Sequence, residues 1–336
     1  MKTRIGINGL GRIGKGIIRA WVQSSFDDFD IVMINDKIDP AGFAHLLKYD
    51  SIHGRLHADL KGEDGHLVIN GKKIRLTSHM DPAEIPWGSE KVDIVLECTG
   101  KFTNQTGATK HLTQGVKKVI LSAPGKEVDA TLLFGVNEKS YDPKKHNIIS
   151  NASCTTNCLA PVAKVLHEQF KIRRGFMTTI HSYTNDQKIL DKYHKDLRRA
   201  RAGALSQIPT TTGAAKSIGL IMPELKGKLD GISIRVPTPN VSLIDLVCEV
   251  EKEASIPTVN RAFEVAAAGP LKGILSCCYE PLVSIDFNGN SESAIIDMLS
   301  TNVLEGHLVK ILAWYDNEMG FSYRMVDLVK LVSQYL

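Results

Sequence analysis

Asn8-Gly9-Leu10-Gly11-Arg12-Ile13-Gly14 is the stretch on which the fold turns. It follows a short run, residues 3–8, that reads as a buried strand, and it opens a helical pattern carried by Ile13, Ile17, Ile18 and Trp21. Glycines at 9, 11 and 14 let the chain turn tightly and let a pyrophosphate approach the backbone at a helix N-terminus. Alone, Gly-x-Gly-x-x-Gly is a weak signal; between a strand and a helix it points to a dinucleotide. A second strand, Ile31-Val32-Met33-Ile34, ends in Asn35-Asp36, and Asp36 lies 22 residues after Gly14. An acid at that distance can accept hydrogen bonds from a ribose hydroxyl. The alternative is an ordinary turn and an ordinary surface aspartate.

Outward from this stretch the strand–helix alternation continues to residue 150. Residues 66–78 hold Asn70-Gly71 between apolar runs, a hairpin signal. Residues 92–96 and 118–121 read as buried parallel strands, with a helix expected over 105–114 between them. Thr99-Gly100 and Ser122 stand just past the carboxyl ends of those strands, where open α/β sheets bind ligands, although turn chemistry explains them equally well.

Asn151-Ala152-Ser153-Cys154-Thr155-Thr156-Asn157-Cys158 then precedes an apolar run, 159–170, that reads as a helix. Cys154 is therefore expected near a helix N-terminus, where unpaired N–H groups and the helix dipole favour a thiolate and lower the thiol pKa. The alternative is a buried, inert cysteine. His181 ends a β-rich run, 176–180, and could sit beside a thiol as general base or ion-pair partner. It is one of 11 histidines, so its existence alone does not pair it with Cys154.

The second half changes character. Residues 183–207 show no sustained period and carry Lys195, Arg198, Arg199 and Arg201; so long an irregular segment is functional or disordered. Ile244, Leu246, Cys248 and Val250 alternate against polar neighbours as in an antiparallel strand, and 282–287 and 308–314 are further strand candidates. A last helix, 321–335, has Met325, Leu328, Val329 and Val332 at helical spacing, a core stripe.

A length of 336 residues suggests two domains with ample core. The net charge of +4 is mild and gives little support for nucleic acid or membrane partners. No apolar run is long enough to span a bilayer, and no signal-like segment precedes the first strand. Six cysteines are too few for a disulfide scaffold and favour a reducing cytoplasm. Cys154 and Cys158 lack a second Cys/His pair at zinc-site spacing, so no metal is expected.

The glycine stretch, the Cys154 octet and Thr178 to Asp186 are joined by Thr210-Thr211-Thr212-Gly213-Ala214-Ala215 and Trp314-Tyr315-Asp316-Asn317-Glu318. In that order they resemble the phosphorylating glyceraldehyde-3-phosphate dehydrogenase family over essentially the whole chain. The resemblance implies an α/β fold: a Rossmann-type, mostly parallel sheet domain plus an α+β catalytic domain with a mainly antiparallel sheet. It implies an NAD-binding domain at 1–152, to which a C-terminal helix, 319–336, returns, and a catalytic domain at 153–318. Cys154 would attack the aldehyde carbon and His181 would activate the thiol. Ser153, Thr155, Thr184, Arg199, Thr212, Gly213 and Arg235 would hold substrate and attacking phosphate. Gly9, Gly11, Arg12, Ile13, Asp36, Ser122 and Asn317 would contact NAD. The implied reaction turns glyceraldehyde 3-phosphate and inorganic phosphate into 1,3-bisphosphoglycerate in glycolysis or gluconeogenesis. The implied assembly is a homotetramer, with 183–207 lining the cofactor site and a subunit interface.

Two places in the sequence, three residues in all, depart from the family pattern. Met80 stands before Asp81-Pro82 where an arginine is frequent, and Lys192-Tyr193 stands before His194 where NAD-preferring members often carry Leu-Pro. The nearest alternative activity is erythrose-4-phosphate dehydrogenase, which shares the Cys and His stretches but usually lacks Thr-Thr-Thr-Gly-Ala-Ala. A semialdehyde dehydrogenase and a non-catalytic RNA-binding use of the dinucleotide pocket are more distant readings.

Overall fold

The computed structural model describes residues 2–24 and 28–336. The chain divides into two compact units: Met1–Phe134, Glu138–Ala152 and Ser322–Leu336 form one, Gly135–Asn137 and Ser153–Phe321 the other.

The first unit is built on a nine-stranded sheet. Its centre is Thr3–Asn8, paired in parallel with Phe29–Asn35 on one side and Ile94–Glu97 on the other. Strand order therefore reverses at Thr3–Asn8, and the crevice beyond its carboxyl end is where an open sheet of this kind takes a ligand. Ile94–Glu97 and Lys118–Leu121 are buried along their whole length, as strands covered on both faces must be. Lys72–Thr77 pairs in parallel with Phe29–Asn35 and returns through His66–Ile69 as a hairpin. Asn70 and Gly71 both take positive φ, 48° and 81°, which the two-residue turn requires.

The expected helix over 105–114 is shorter, Gln105–Thr109. Asn104 caps it by accepting from the Gly107 N–H at 2.7 Å. Thr106, Gly107 and Thr109 are weak helix formers, and the Thr109 hydroxyl bonds back to Gln105 O. The last helix, Met319–Ser333, buries Met325, Leu328, Val329 and Val332 completely.

The second unit carries an eight-stranded, mainly antiparallel sheet. Ile172–Ser182 lies between Leu229–Val236, parallel, and Ser242–Val250, antiparallel. Residues 282–287, expected as a strand, form instead a turn of 3₁₀ helix at Ser284–Phe287. Pro281 removes one ladder donor, and Asp286 accepts from the Val283 N–H at 2.8 Å, closing the turn locally. Residues 183–207 form no helix or strand but are tied down by an isolated bridge, Lys188 to Ala202, and by side chains. The parallel register sets His181 directly beside Arg235 at the carboxyl ends of their strands.

Candidate active site

Helix Cys154–Phe170 starts at the cysteine itself. Ala152, with φ 55°, turns the chain into it through the left-handed region, at a cost of about 1 kcal/mol for a non-glycine residue. Ser153 then takes extended backbone and caps the helix, accepting from the Thr156 N–H at 3.1 Å. Such a cap stabilises by about 1 kcal/mol. The Cys154 side chain thus stands at the first turn, where the Cys154 and Thr155 N–H groups offer hydrogen bonds to its sulfur.

Cys154 Sγ lies 3.5 Å from His181 Nε2. Behind the ring, His181 Nδ1 is 2.7 Å from Ser182 O. Arg235 Nη1 lies 2.7 Å from the same Nδ1 and donates to Ser182 O at 3.0 Å. Tyr315 packs edge-on against the imidazole, and its hydroxyl bonds Thr155 Oγ1 and Thr179 Oγ1, each at 2.9 Å. The carbonyl behind His181 is itself fixed: Ser182 donates its N–H to Ser242 Oγ at 3.1 Å and its hydroxyl to Val241 O at 2.9 Å. Val241 has φ 66°, a strained setting for a β-branched residue.

Electrostatics fix the resting protonation. Burial, then the Arg235 charge, push the His181 pKa down to about 3. Burial pushes the Cys154 thiol up, against the charge of Arg235 and the hydrogen bonds offered by Thr155 and the helix-start amides. The resting pair is therefore a neutral thiol facing a neutral imidazole. This corrects the expectation of a lowered thiol pKa from the helix start alone: desolvation outweighs the dipole. Arg235 has no carboxylate partner among the described residues, and its Nε is buried without one.

Among the cysteines, Cys158 and Cys248 are buried, and burial pushes Cys98 and Cys248 to about 12 and Cys277 to about 11. One equivalent of iodoacetamide is expected to label Cys154 first and abolish activity, because His181 Nε2, 3.5 Å away, can take the proton from this sulfur as it reacts. First labelling of Cys98, Cys248 or Cys277 with activity retained would contradict this; peptide mapping reads it.

The remaining anion candidates lie in the same unit. Arg199 donates to Asp186 at 2.7 Å, Thr210 Oγ1 at 2.9 Å and Thr211 O at 3.1 Å, and its charge adds to Arg235's in lowering the His181 pKa. Thr212 accepts from the Ala214 N–H at 3.2 Å, and Gly213 caps helix Ala214–Ile221 with no side-chain bond of its own. Thr184 donates its N–H to Gln187 at 3.3 Å. The Thr155 hydroxyl is buried against Tyr315. Ser242 and Val241 carry no sequence signal for their roles, because the contacts that define them join distant strands.

In the first unit the glycine turn fits a dinucleotide. Gly9 has φ +96°, a Cβ on Gly14 would lie 2.3 Å from Gly9 O, and a Cβ on Gly11 would meet nothing within 4 Å. Gly11 heads helix Arg12–Gln23 without a side-chain cap, so the helix start is presented to a ligand. Asp36 accepts from the Leu10 and Lys37 N–H groups, each at 2.6 Å. Arg12 forks onto Asp50 at 2.6 and 3.1 Å. Ile13 and Ser122 are half-buried. In the second unit Asn317 is buried and accepts from Ser242 Oγ at 2.8 Å. The departing residues Met80 and Tyr193 are exposed.

Comparison with known proteins agrees over both units. Residues 3–105 match the family model described as glyceraldehyde 3-phosphate dehydrogenase, NAD binding domain, and 153–317 the corresponding C-terminal domain. Glyceraldehyde-3-phosphate dehydrogenase of Geobacillus stearothermophilus is 58% identical over 333 residues, covering 99% of each chain. Glyceraldehyde-3-phosphate dehydrogenase 1 of Bacillus subtilis is 55% identical over 334 residues, 99% of each chain. Glyceraldehyde-3-phosphate dehydrogenase 2 of Streptomyces avermitilis is 55% identical over 336 residues, covering each chain fully.

Proposed function

The chain belongs to the glyceraldehyde-3-phosphate dehydrogenase family, and from that premise we propose that it oxidises glyceraldehyde 3-phosphate with NAD and phosphate to 1,3-bisphosphoglycerate through a thioester on Cys154. The observation that carries the mechanism is Cys154 Sγ at 3.5 Å from His181 Nε2, at a helix start. Neutral His181 takes the thiol proton as sulfur attacks the aldehyde carbon, and it exchanges protons with the resulting oxygen. The helix-start amides stabilise negative charge there. Bound NAD would supply the hydride acceptor, so that the adduct on Cys154 loses hydride from the former aldehyde carbon and becomes the thioester. Phosphate then attacks the thioester, and the acyl phosphate leaves Cys154 as thiolate.

Arg235 suits the attacking phosphate. Its guanidinium is held beside His181 with no anion of its own, and a phosphate there would offset the charge that depresses the histidine. Thr212 and Gly213 complete that site in this reading, while Ser153, Thr155, Thr184 and Arg199 serve the substrate phosphate. Arg235→Ala is expected to raise the KM for phosphate and lower turnover more than it weakens NAD binding. Steady-state kinetics with a separate NAD titration measure this; an unchanged phosphate KM would remove Arg235 from the site.

For the cofactor, Gly9, Gly11, Arg12 and Ile13 would hold the pyrophosphate side and Asp36 the adenosine ribose, with Ser122 and Asn317 as further contacts. Asp36 would repel a 2′-phosphate, so NAD is expected over NADP; equal kcat/KM with both would refute it. Erythrose 4-phosphate is not favoured, since these relatives carry the glyceraldehyde-3-phosphate name and the chain keeps Thr210 to Ala215.

The segment 183–207 exposes Ile189, Leu190, Leu197 and Leu205, each by more than 70%. Assembly into a homotetramer would cover such apolar surface; a monomeric mass at micromolar concentration would contradict it. No helix among the described residues is long and apolar enough to cross a membrane. The sparse, free cysteines support a cytoplasmic setting, which cell fractionation tests.

A further inference from the structure

Asn8, Asn35 and Glu97 are the last residues of three adjacent strands and are register partners across the central strand. All three are polar and at least 96% buried. Glu97 is surrounded by donors. Oε1 accepts from the Thr99 N–H at 2.7 Å and from the Thr99 hydroxyl. Oε2 accepts from Asn8 Nδ2 at 2.6 Å and lies 3.0 Å from His111 Nε2.

The tautomer of His111 follows from its other neighbour. Trp87 Nε1, which can only donate, lies 3.3 Å from His111 Nδ1. Nδ1 therefore accepts, Nε2 carries the proton, and Nε2–H donates to Glu97. Trp87 is anchored in turn, packed so closely on the first strand that a Cβ on Gly6 would lie 2.5 Å from its ring. On the other side Asn8 Oδ1 accepts from Asn35 Nδ2 at 2.9 Å, and Asn35 Oδ1 accepts from the His79 N–H at 2.8 Å. The chain Trp87–His111–Glu97–Asn8–Asn35–His79 is continuous, and every side-chain polar atom named in it has a partner.

This network ends against the glycine turn. The Gly9 N–H donates to Asn35 O at 2.9 Å, and the Cys98 N–H donates to Asn8 O at 2.8 Å. A Cβ on Gly9 would lie 2.8 Å from the Thr99 N, the same amide that Glu97 holds. Glu97 thus fixes both turns that border the crevice beyond the central strand.

We propose that Glu97 and His111 are positioning residues for the dinucleotide: buried beneath the crevice, they preset the Gly9 and Thr99 turns so that their backbones meet the cofactor already in place. The inference rests on the NAD-binding reading. Fully satisfied buried networks rigidify what they hold, and a preset site binds more tightly because less ordering remains to be done on binding.

The test measures the Kd for NAD by calorimetry, well below each protein's unfolding temperature, alongside the rate of Cys154 alkylation by iodoacetamide. Glu97→Gln keeps the shape but sets an NH2 against one of the donors. His111→Phe removes the proton that Glu97 receives. Each is expected to raise the Kd for NAD about 10-fold or more, with Cys154 alkylated at the parent rate. The double variant is expected to lose about as much as either single one, because both break one network. His111→Gln, which can still donate to Glu97, is expected to stay within about 3-fold of the parent. Thr99→Val removes one hydroxyl and is expected to cost about 3-fold, which keeps the test open if Glu97→Gln does not fold. Lower melting temperatures with an unchanged Kd for NAD in His111→Phe and Thr99→Val would overturn the proposal in favour of a purely structural role. A parent protein that does not bind NAD would instead overturn the cofactor reading on which it stands.

Discussion

Cys154→Ala should leave no phosphate-dependent NADH formation from glyceraldehyde 3-phosphate, a loss of about 10⁴-fold or more. The size follows from the chemistry assigned to this sulfur. No other described nucleophile faces His181 at bonding distance: Nε2 meets Cys154 Sγ, and Nδ1 meets Ser182 O and Arg235. Without the sulfur no thioester forms, and phosphate has no acyl carbon to attack. The change deletes only one atom at the start of helix Cys154–Phe170, whose cap comes from Ser153. Folding and NAD binding should therefore persist, which separates lost chemistry from lost structure. Activity within about 100-fold of the parent would mean that the acyl group is not carried on Cys154.

His181→Asn should slow turnover by roughly 10²–10⁴-fold, the usual worth of general acid–base help. A loss under tenfold would argue against its role. The same variant reports on the buried imidazole. Its folded-state pKa is depressed from 6.5 to about 3, so the unfolded chain takes up this proton first. Stability is fully present above pH 6.5 and is lost as pH falls from there towards 3. His181→Asn should therefore show a smaller fall in Tm between neutral pH and the acid side of that window. An equal fall in both proteins would show that His181 is not held neutral.

Much of this was legible in the sequence because local physics wrote it there. Glycines at 9, 11 and 14 between a strand and a helix, Asn70-Gly71 between apolar runs and the stripe ending at Val332 each state a backbone demand or a face to bury. Helix 105–114 stops early, at Thr109, because Thr106, Gly107 and Thr109 are weak helix formers. Residues 282–287 form a 3₁₀ turn in place of the expected strand because the Asp286 carboxylate closes locally on the Val283 N–H. The placement of Arg235 beside His181 needed the parallel register of strands 172–182 and 229–236, far apart in sequence. The raised thiol needed the burial that only the folded second unit supplies. A helix start predicts the sign of its dipole, not the desolvation that competes with it.

Product analysis with glyceraldehyde 3-phosphate and NAD at varied phosphate tests the central claim most directly. The account predicts NADH formation that rises with phosphate, and an acyl phosphate as the product. Steady NADH formation independent of phosphate, ending in 3-phosphoglycerate, would contradict it.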